Sequence, residues 1–119
     1  MTVAQRIADL QTYIQTGRII EAMNEFYADD VVMQENTHPP TAGRAANIER
    51  EKQFLAQVKE WKGYTVKAVA TAGDVSFVEC VMDFVNTQGQ AVHAEQVSVQ
   101  RWKNGRIVHE RFYYDTGAK

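Results

Sequence analysis

Asn104-Gly105 stands between two runs of alternating residues, Val92 to Lys103 and Gly105 to Asp115. Both residues of that pair tolerate the positive φ of a type I′ turn, and Asn-Gly between alternating runs is the strongest short-range hairpin signal. The same alternation reaches back through Val75 to Asn86 and Tyr64 to Thr71, with turns at Gly73-Asp74 and Gln88-Gly89. From Gly63 onward the chain therefore reads as four antiparallel strands joined by hairpins. Val78, Cys80, Met82 and Phe84 make one face of the second long strand apolar, so that face is core. Glu79 and Asp83 lie on its other face and read as a solvated or interfacial surface.

The first half carries a different period. Thr2 caps a helix of about 13 residues, with Gln5 as its capping-box partner, and Val3, Ile7, Leu10 and Ile14 fall at helical spacing. A second helix is predicted from Ile19 to Tyr27, with Ile19, Met23 and Phe26 on one face. Asp29-Asp30 breaks it, and a short strand starts at Val31 and ends near Glu35. Asn36 to Gly43 holds Pro39-Pro40, which cannot sit in a helix interior, and is read as a loop. A third helix is expected from Arg44 to Lys62 on the stripe Ile48, Leu55, Val58 and Lys62, widened by Phe54 and Trp61. Helices followed by hairpin strands make an α+β domain, residues 1–119, with the helices on one face of a curved sheet.

Composition narrows the function classes. With 45% hydrophobic and 24% charged residues, the chain is an ordinary globular one, and its net charge of −2 comes without a basic run. No nucleic-acid partner is expected. No apolar run approaches the 18 or so residues of a membrane span and the N-terminus lacks a signal pattern, so no membrane association and a cytoplasmic protein are expected. Cys80 is the only cysteine and reads as a small buried hydrophobe. His38, His93 and His109 show no metal-ligand spacing, there is no Gly-rich phosphate loop, and neither a metal nor a cofactor is expected.

The phrase Phe26-Tyr27-Ala28-Asp29-Asp30-Val31, the Gly43 entry to the third helix, and Gly105-Arg106-Ile107-Val108 leading into an aromatic-aromatic-Asp ending carry a resemblance. In these motifs and in element order the chain resembles the SnoaL-like domains of the nuclear-transport-factor-2-like superfamily. That group includes polyketide cyclases and, more distantly, ketosteroid isomerases. The resemblance implies a cone-shaped antiparallel sheet closed by three helices over an apolar pocket, often dimeric through the sheet's outer face. It also implies that Asp115, late in the chain, acts as general acid and base, and that Glu35 matches the isomerases' general base. Tyr13 matches their first-helix tyrosine. The position of their protonated aspartate falls near Ser98 or Gln96, neither of them a carboxylic acid, so a full steroid-isomerase site is not expected.

Paired about a two-residue turn, the closing hairpin sets Trp102 opposite Ile107, Gln100 opposite His109, Ser98 opposite Arg111 and Gln96 opposite Tyr113. Asp115 ends that face. Val97, Val99, Val108, Glu110, Phe112 and Tyr114 form the other, and a bulge would break the pairing in part. On the first face, Gln96, His109, Arg111 and Tyr113 are donors near Asp115. Met33, beside Glu35, and the rings of Trp61, Trp102, Phe112 and Tyr114 are candidate walls of a pocket. If Arg111 and Asp115 lie outside, Glu35 leads, with Glu110 and Tyr114 behind it. The expected function is a cofactor-independent acid–base reaction on a small apolar carbonyl compound, of the cyclase, isomerase or dehydratase kind. The alternatives are a non-catalytic binder of an apolar ligand and an interaction module. A homodimer through the outer face is compatible with either.

Overall fold

The computed structural model describes residues 2–115. Thr2 caps helix α1 (Val3–Gln15) reciprocally: the Gln5 N–H donates to Thr2 Oγ1 at 3.1 Å and the Thr2 N–H to Gln5 Oε1 at 2.8 Å. Both donors would otherwise lack an intrahelical partner. Ile7 and Leu10 are buried on the expected stripe. Helix α2 (Ile19–Phe26) buries Ala22, Met23 and Phe26 and passes without a loop into strand β1 (Tyr27–Glu35). The strand begins at Tyr27 rather than Val31 because Tyr27 already pairs with Ile107. Asp29 and Asp30, exposed, fall in an irregularity of that ladder between Tyr27 and Val32. The predicted loop holds a two-residue strand, β2 (Thr41–Ala42), paired to Val32 and Met33.

Helix α3 (Arg44–Ala56) stops short of the expected Lys62, and strand β3 (Val58–Ala72) takes over. A spacing of Val58, Trp61 and Lys62 fits a helix, but pairing across the sheet decides the state of these residues. Val58 and Trp61 are laddered to Asn86 and Phe84 of β4 (Val75–Asn86). The ring of Trp61 meets those of Phe84 and Phe54 at centroid distances of 5.3 and 6.2 Å, a cluster that the longer helix would not form. Strands β5 (Ala91–Lys103) and β6 (Arg106–Tyr114) complete a curved, unclosed six-stranded sheet of order β2-β1-β6-β5-β4-β3. β3 to β6 form the expected antiparallel series, but β1 joins β6 in parallel, so the sheet is mixed rather than antiparallel throughout. The helices cover its inner face over a core that includes Leu10, Phe26, Val31, Val78, Trp102 and Ile107. No helix among the described residues is long and apolar enough to cross a membrane.

The closing hairpin contains one irregularity with large consequences. Asn104 and Gly105 have φ of 54° and 78°, as a type I′ turn requires, and Trp102 faces Ile107 as expected. The next pair is Arg101 with His109, so Val108 is an extra residue on β6. Because side chains alternate with period two, this bulge inverts every face assignment beyond it. Gln100 meets Glu110, Ser98 meets Phe112 and Gln96 meets Tyr114. The inner face is therefore Gln96, Ser98, Gln100, Glu110, Phe112 and Tyr114. His109, Arg111 and Tyr113 stand on the outer face, the reverse of the two-residue-turn pairing.

Candidate functional site

Between the helices and the concave face of the sheet lies a cavity of about 580 Å³. Gln11 and Ile14 of α1, Met23 of α2, and Tyr27, Met33 and Glu35 of β1 form one side. α3 contributes Asn47, Arg50, Glu51, Phe54 and Leu55, a stripe at helical spacing that is polar at one end and apolar at the other. Trp61 and Tyr64 of β3, Met82 of β4, Gln96 and Ser98 of β5, and Glu110 and Phe112 of β6 complete the wall. A mostly apolar cavity of this size with a few converging polar groups is the usual form of a small-molecule site.

Glu110 is the deepest charge-bearing group, 3% exposed, and a chain of buried hydrogen bonds ends on it. The Trp102 indole N–H, which can only donate, goes to Ser76 Oγ at 2.9 Å. Ser76 is fully buried and sends its own hydroxyl hydrogen to Gln100 Oε1 at 2.6 Å. That fixes the Gln100 amide, whose nitrogen donates to Ser98 Oγ and to Glu110 Oε2, both at 2.8 Å. The opposite amide orientation would leave the Ser76 hydroxyl hydrogen without an acceptor. Glu110 Oε2 is therefore always an acceptor, and the carboxyl proton, when present, sits on Oε1 against the Tyr27 hydroxyl, the second hydrogen-bond partner. Burial pushes the Glu110 carboxyl up to about 7, against the opposing hydrogen bonds from Tyr27 and Gln100, with the charge of Glu51 adding to the rise. Burial and then Glu110 hold the Tyr27 hydroxyl well above the ordinary tyrosine range. Near neutral pH the pair passes between two forms. With Glu110 ionised, Tyr27 donates to it; with Glu110 protonated, Oε1–H donates to Tyr27 and the tyrosine hydrogen is released to the cavity.

At the cavity mouth Glu35 accepts from Tyr114 Oη at 2.9 Å on one oxygen and from Arg50 Nη2 at 2.8 Å on the other. Burial, then the nearby Glu35, raises the Tyr114 hydroxyl. Between mouth and floor lies Glu51, half-buried, which accepts no hydrogen bond and forms no ion pair among the described residues. Burial and then the charge of Glu35 raise its carboxyl, with Arg50 opposing. On the far wall Tyr64 donates to Gln11 Oε1 at 2.6 Å.

Of the residues singled out from sequence, the structure gathers Glu35, Met33, Trp61, Gln96, Glu110 and Phe112 around the cavity. Tyr114 reaches it only through Glu35. Trp102 is 4% exposed and packed in the core, its indole nitrogen starting the chain to Glu110. Tyr13 is not at the cavity: it packs edge-on against Phe26 at 5.3 Å under the Arg18 guanidinium, one helical position away from the lining residue Ile14. Arg111, on the outer face, lies over the Tyr113 ring and donates to the Asn36 carbonyl at 3.0 Å. His109 faces outward, its imidazole lowered by partial burial and by Arg101 and Arg111. Asp115 follows the end of β6, exposed and outside the cavity wall.

Tyr27, Gln100, Ser76 and Glu51 were not singled out from sequence. The helical spacing makes Tyr27 the last residue of the second helix, and a bulge-free hairpin puts Gln100 opposite His109. Glu51 lies on the polar edge of α3, where a search for apolar stripes passes over it; the spacing 47, 50, 51, 54, 55 was the available signal.

Known proteins share this architecture over nearly their full length. A candidate SnoaL-like polyketide cyclase from Mesorhizobium loti is 26% identical, with 96% of this chain and 100% of that one covered at a TM-score of 0.83. A nuclear-transport-factor-2-like protein of unknown function from Burkholderia pseudomallei superposes at a TM-score of 0.85 with 17% identity, covering 98% and 94% of the two chains. IdmH, a candidate polyketide cyclase from Streptomyces antibioticus, gives 0.78 at 22% identity over 98% and 94%. No curated protein sequence matches. With the family's pattern running through residues 8–110, from the first helix to the buried glutamate of the last strand, this chain belongs to the SnoaL-like domain family.

Proposed function

We propose that the cavity binds a small, mostly apolar carbonyl compound and converts it by cofactor-independent acid–base chemistry of the isomerase, cyclase or dehydratase kind. One observation carries this reading: a fully buried carboxyl, poised near neutrality and sharing a proton with a tyrosine, opens onto an apolar cavity. A group titrating near the working pH is the most effective proton donor and acceptor, and a tyrosine hydroxyl is a fitting partner for a carbonyl oxygen that gains charge. The assignment of the M. loti and S. antibioticus relatives as candidate polyketide cyclases, and of a Bacillus subtilis neighbour as a candidate isomerase, supports it by analogy.

Native mass spectrometry of the freshly purified protein identifies a co-purifying small molecule, which is then incubated in D2O with the wild type and with Glu110→Gln. Deuterium enters beside the carbonyl with the wild type and at least about 100-fold more slowly with the variant. Tight binding with no exchange in the wild type would instead make the protein a non-catalytic binder.

A homodimer through the outer sheet face is part of the same proposal. Phe77, Val97 and Tyr113 are exposed large apolar residues on that face, a concentration that a second copy would cover. Light scattering should give twice the chain mass, falling to the monomer in Phe77→Lys; a wild-type monomer at all concentrations would reject the dimer.

A further inference from the structure

The cavity holds three carboxyls, and the hydrogen-bond accounting separates their roles. Glu35 has both oxygens occupied, by Tyr114 and Arg50. Glu110 has both occupied, by Tyr27 and Gln100. Glu51 alone lines the cavity with neither oxygen engaged by another described residue. A base that takes a proton from a substrate carbon needs a lone pair facing that substrate: each oxygen of Glu35 and Glu110 has one lone pair taken and its orientation fixed by that bond, whereas both oxygens of Glu51 are open to the ligand. Glu51 also lies within the electrostatic reach of the floor: its charge is felt by both Glu110 and Tyr27.

We propose that Glu51 is the base facing the substrate, and that it works against the Glu110–Tyr27 pair as the two ends of one relay holding a single negative charge. The proposal rests on the acid–base reading of the cavity and assigns its second catalytic residue. In the resting state Glu51 is ionised and Glu110 carries its proton on Oε1, leaving the Tyr27 hydrogen directed at the ligand. The Glu51 carboxylate takes a proton from the carbon beside the carbonyl. The C–H electron pair becomes the new C=C bond, and the carbonyl π pair moves to oxygen. That oxygen takes the Tyr27 proton, and Tyr27 is reprotonated from Glu110 Oε1. The products are an enol, a neutral Glu51 and an ionised Glu110, so one charge has crossed the cavity and no other reactant is consumed. Return of a proton to the same or a neighbouring carbon resets both groups. The fixed orientation of Gln100 serves this step: its N–H to Oε2 receives the charge that arrives on Glu110.

The other charged and titratable groups around Glu51 are consistent with the assignment. Arg50 on its own helix favours its ionised form but is shared with Glu35 of β1. From β3 the cavity receives Tyr64, which is neutral and committed to Gln11, and Lys62, which pairs with Glu60 at the rim. The charge of Glu35 on β1 also raises the Glu51 carboxyl, and the charge of Glu51 in turn raises Glu110 on β6, the buried carboxyl at the other end of the cavity.

The test uses a probe that needs no knowledge of the natural ligand: 2-tetralone in D2O, with loss of its α-proton signal followed by NMR in the full-length protein. Carboxyl titrations in protein carrying 13C-labelled glutamate run alongside. Glu51→Gln should slow enzyme-dependent exchange at least about 100-fold while saturation-transfer NMR still detects bound tetralone, and Glu51→Asp should retain part of the rate. In Glu51→Gln the Glu110 titration should move downward from about 7, because a neighbouring negative charge has gone. If Glu51→Gln exchanges within about 3-fold of the wild type while Glu110→Gln is inert, Glu51 is not the base and the wider reading of the cavity survives. If the wild type catalyses no exchange, both the relay and that reading fail. An unmoved Glu110 titration in Glu51→Gln overturns the shared charge whatever the rates.

Discussion

Replacing Glu110 by glutamine should make the protein more stable at high pH and leave it almost unchanged at low pH. In the fold this carboxyl titrates at about 7, against an ordinary value of 4.5 expected in the unfolded chain. Between those values the folded state holds a proton that the unfolded state has released, so stability falls as pH rises through the window. The interval of about 2.5 pH units, at about 1.4 kcal/mol each, gives a loss of about 3 kcal/mol once pH exceeds the folded value. Glutamine reproduces the protonated acid in shape and polarity. Its carbonyl takes the Oε2 place and accepts from Gln100, while its amide nitrogen takes the Oε1 place and donates to Tyr27. At pH 5 the two proteins should agree within about 1 kcal/mol, and at pH 8.5 the variant should be about 3 kcal/mol more stable. Urea unfolding at several pH values measures this directly. With a slope of about 1.5 kcal/mol per molar, the midpoints should separate by about 2 M at the alkaline end. Titrating groups remote from Glu110, the exposed His93 between Asp83 and Glu95 among them, cancel in the difference. A gap between the two proteins that stays constant from pH 5 to 8.5 would refute the account of Glu110 as a strained buried acid.

Two further substitutions probe the same architecture. Tyr27→Phe removes a hydrogen bond that lowers the Glu110 carboxyl, so 13C NMR should show Glu110 titrating above about 7. The stability lost should be larger at pH 8.5, where a bond to a carboxylate goes (about 1.5–3 kcal/mol), than at pH 5, where a neutral one goes (about 1 kcal/mol). Deleting Val108 removes the extra residue of the bulge yet keeps His109 opposite Arg101 and Glu110 opposite Gln100. The pH-dependent part of stability should therefore survive the deletion; its disappearance from the urea series would show that Glu110 had left the cavity.

Sequence alone determined much of the scaffold: the Thr2–Gln5 cap, the first two helices to within a residue, the hairpin turns with their positive-φ residues, the four-strand antiparallel series and the family. These are local signals, set by backbone geometry and side-chain period within a few residues. Three features were decided by tertiary structure. The third helix ends at Ala56 because β4 and the rings of Phe54 and Phe84 compete for Trp61. The sheet is mixed because β1 finds its partner in β6, at the far end of the chain. Most consequential is the bulge at Val108, which has no glycine or other local mark in Val108-His109-Glu110. The alternation on each side of the turn was legible, but with a period of two a single inserted residue exchanges inside for outside. It moved Arg111, Tyr113 and His109 out and turned Glu110, a second-rank candidate, into the buried acid of the site. Glu51 was hidden for a related reason: a glutamate among charged helix residues reads as solvated until the sheet opposite curves over it. The residue types of the site were all present in the chain, and packing chose which of them meet.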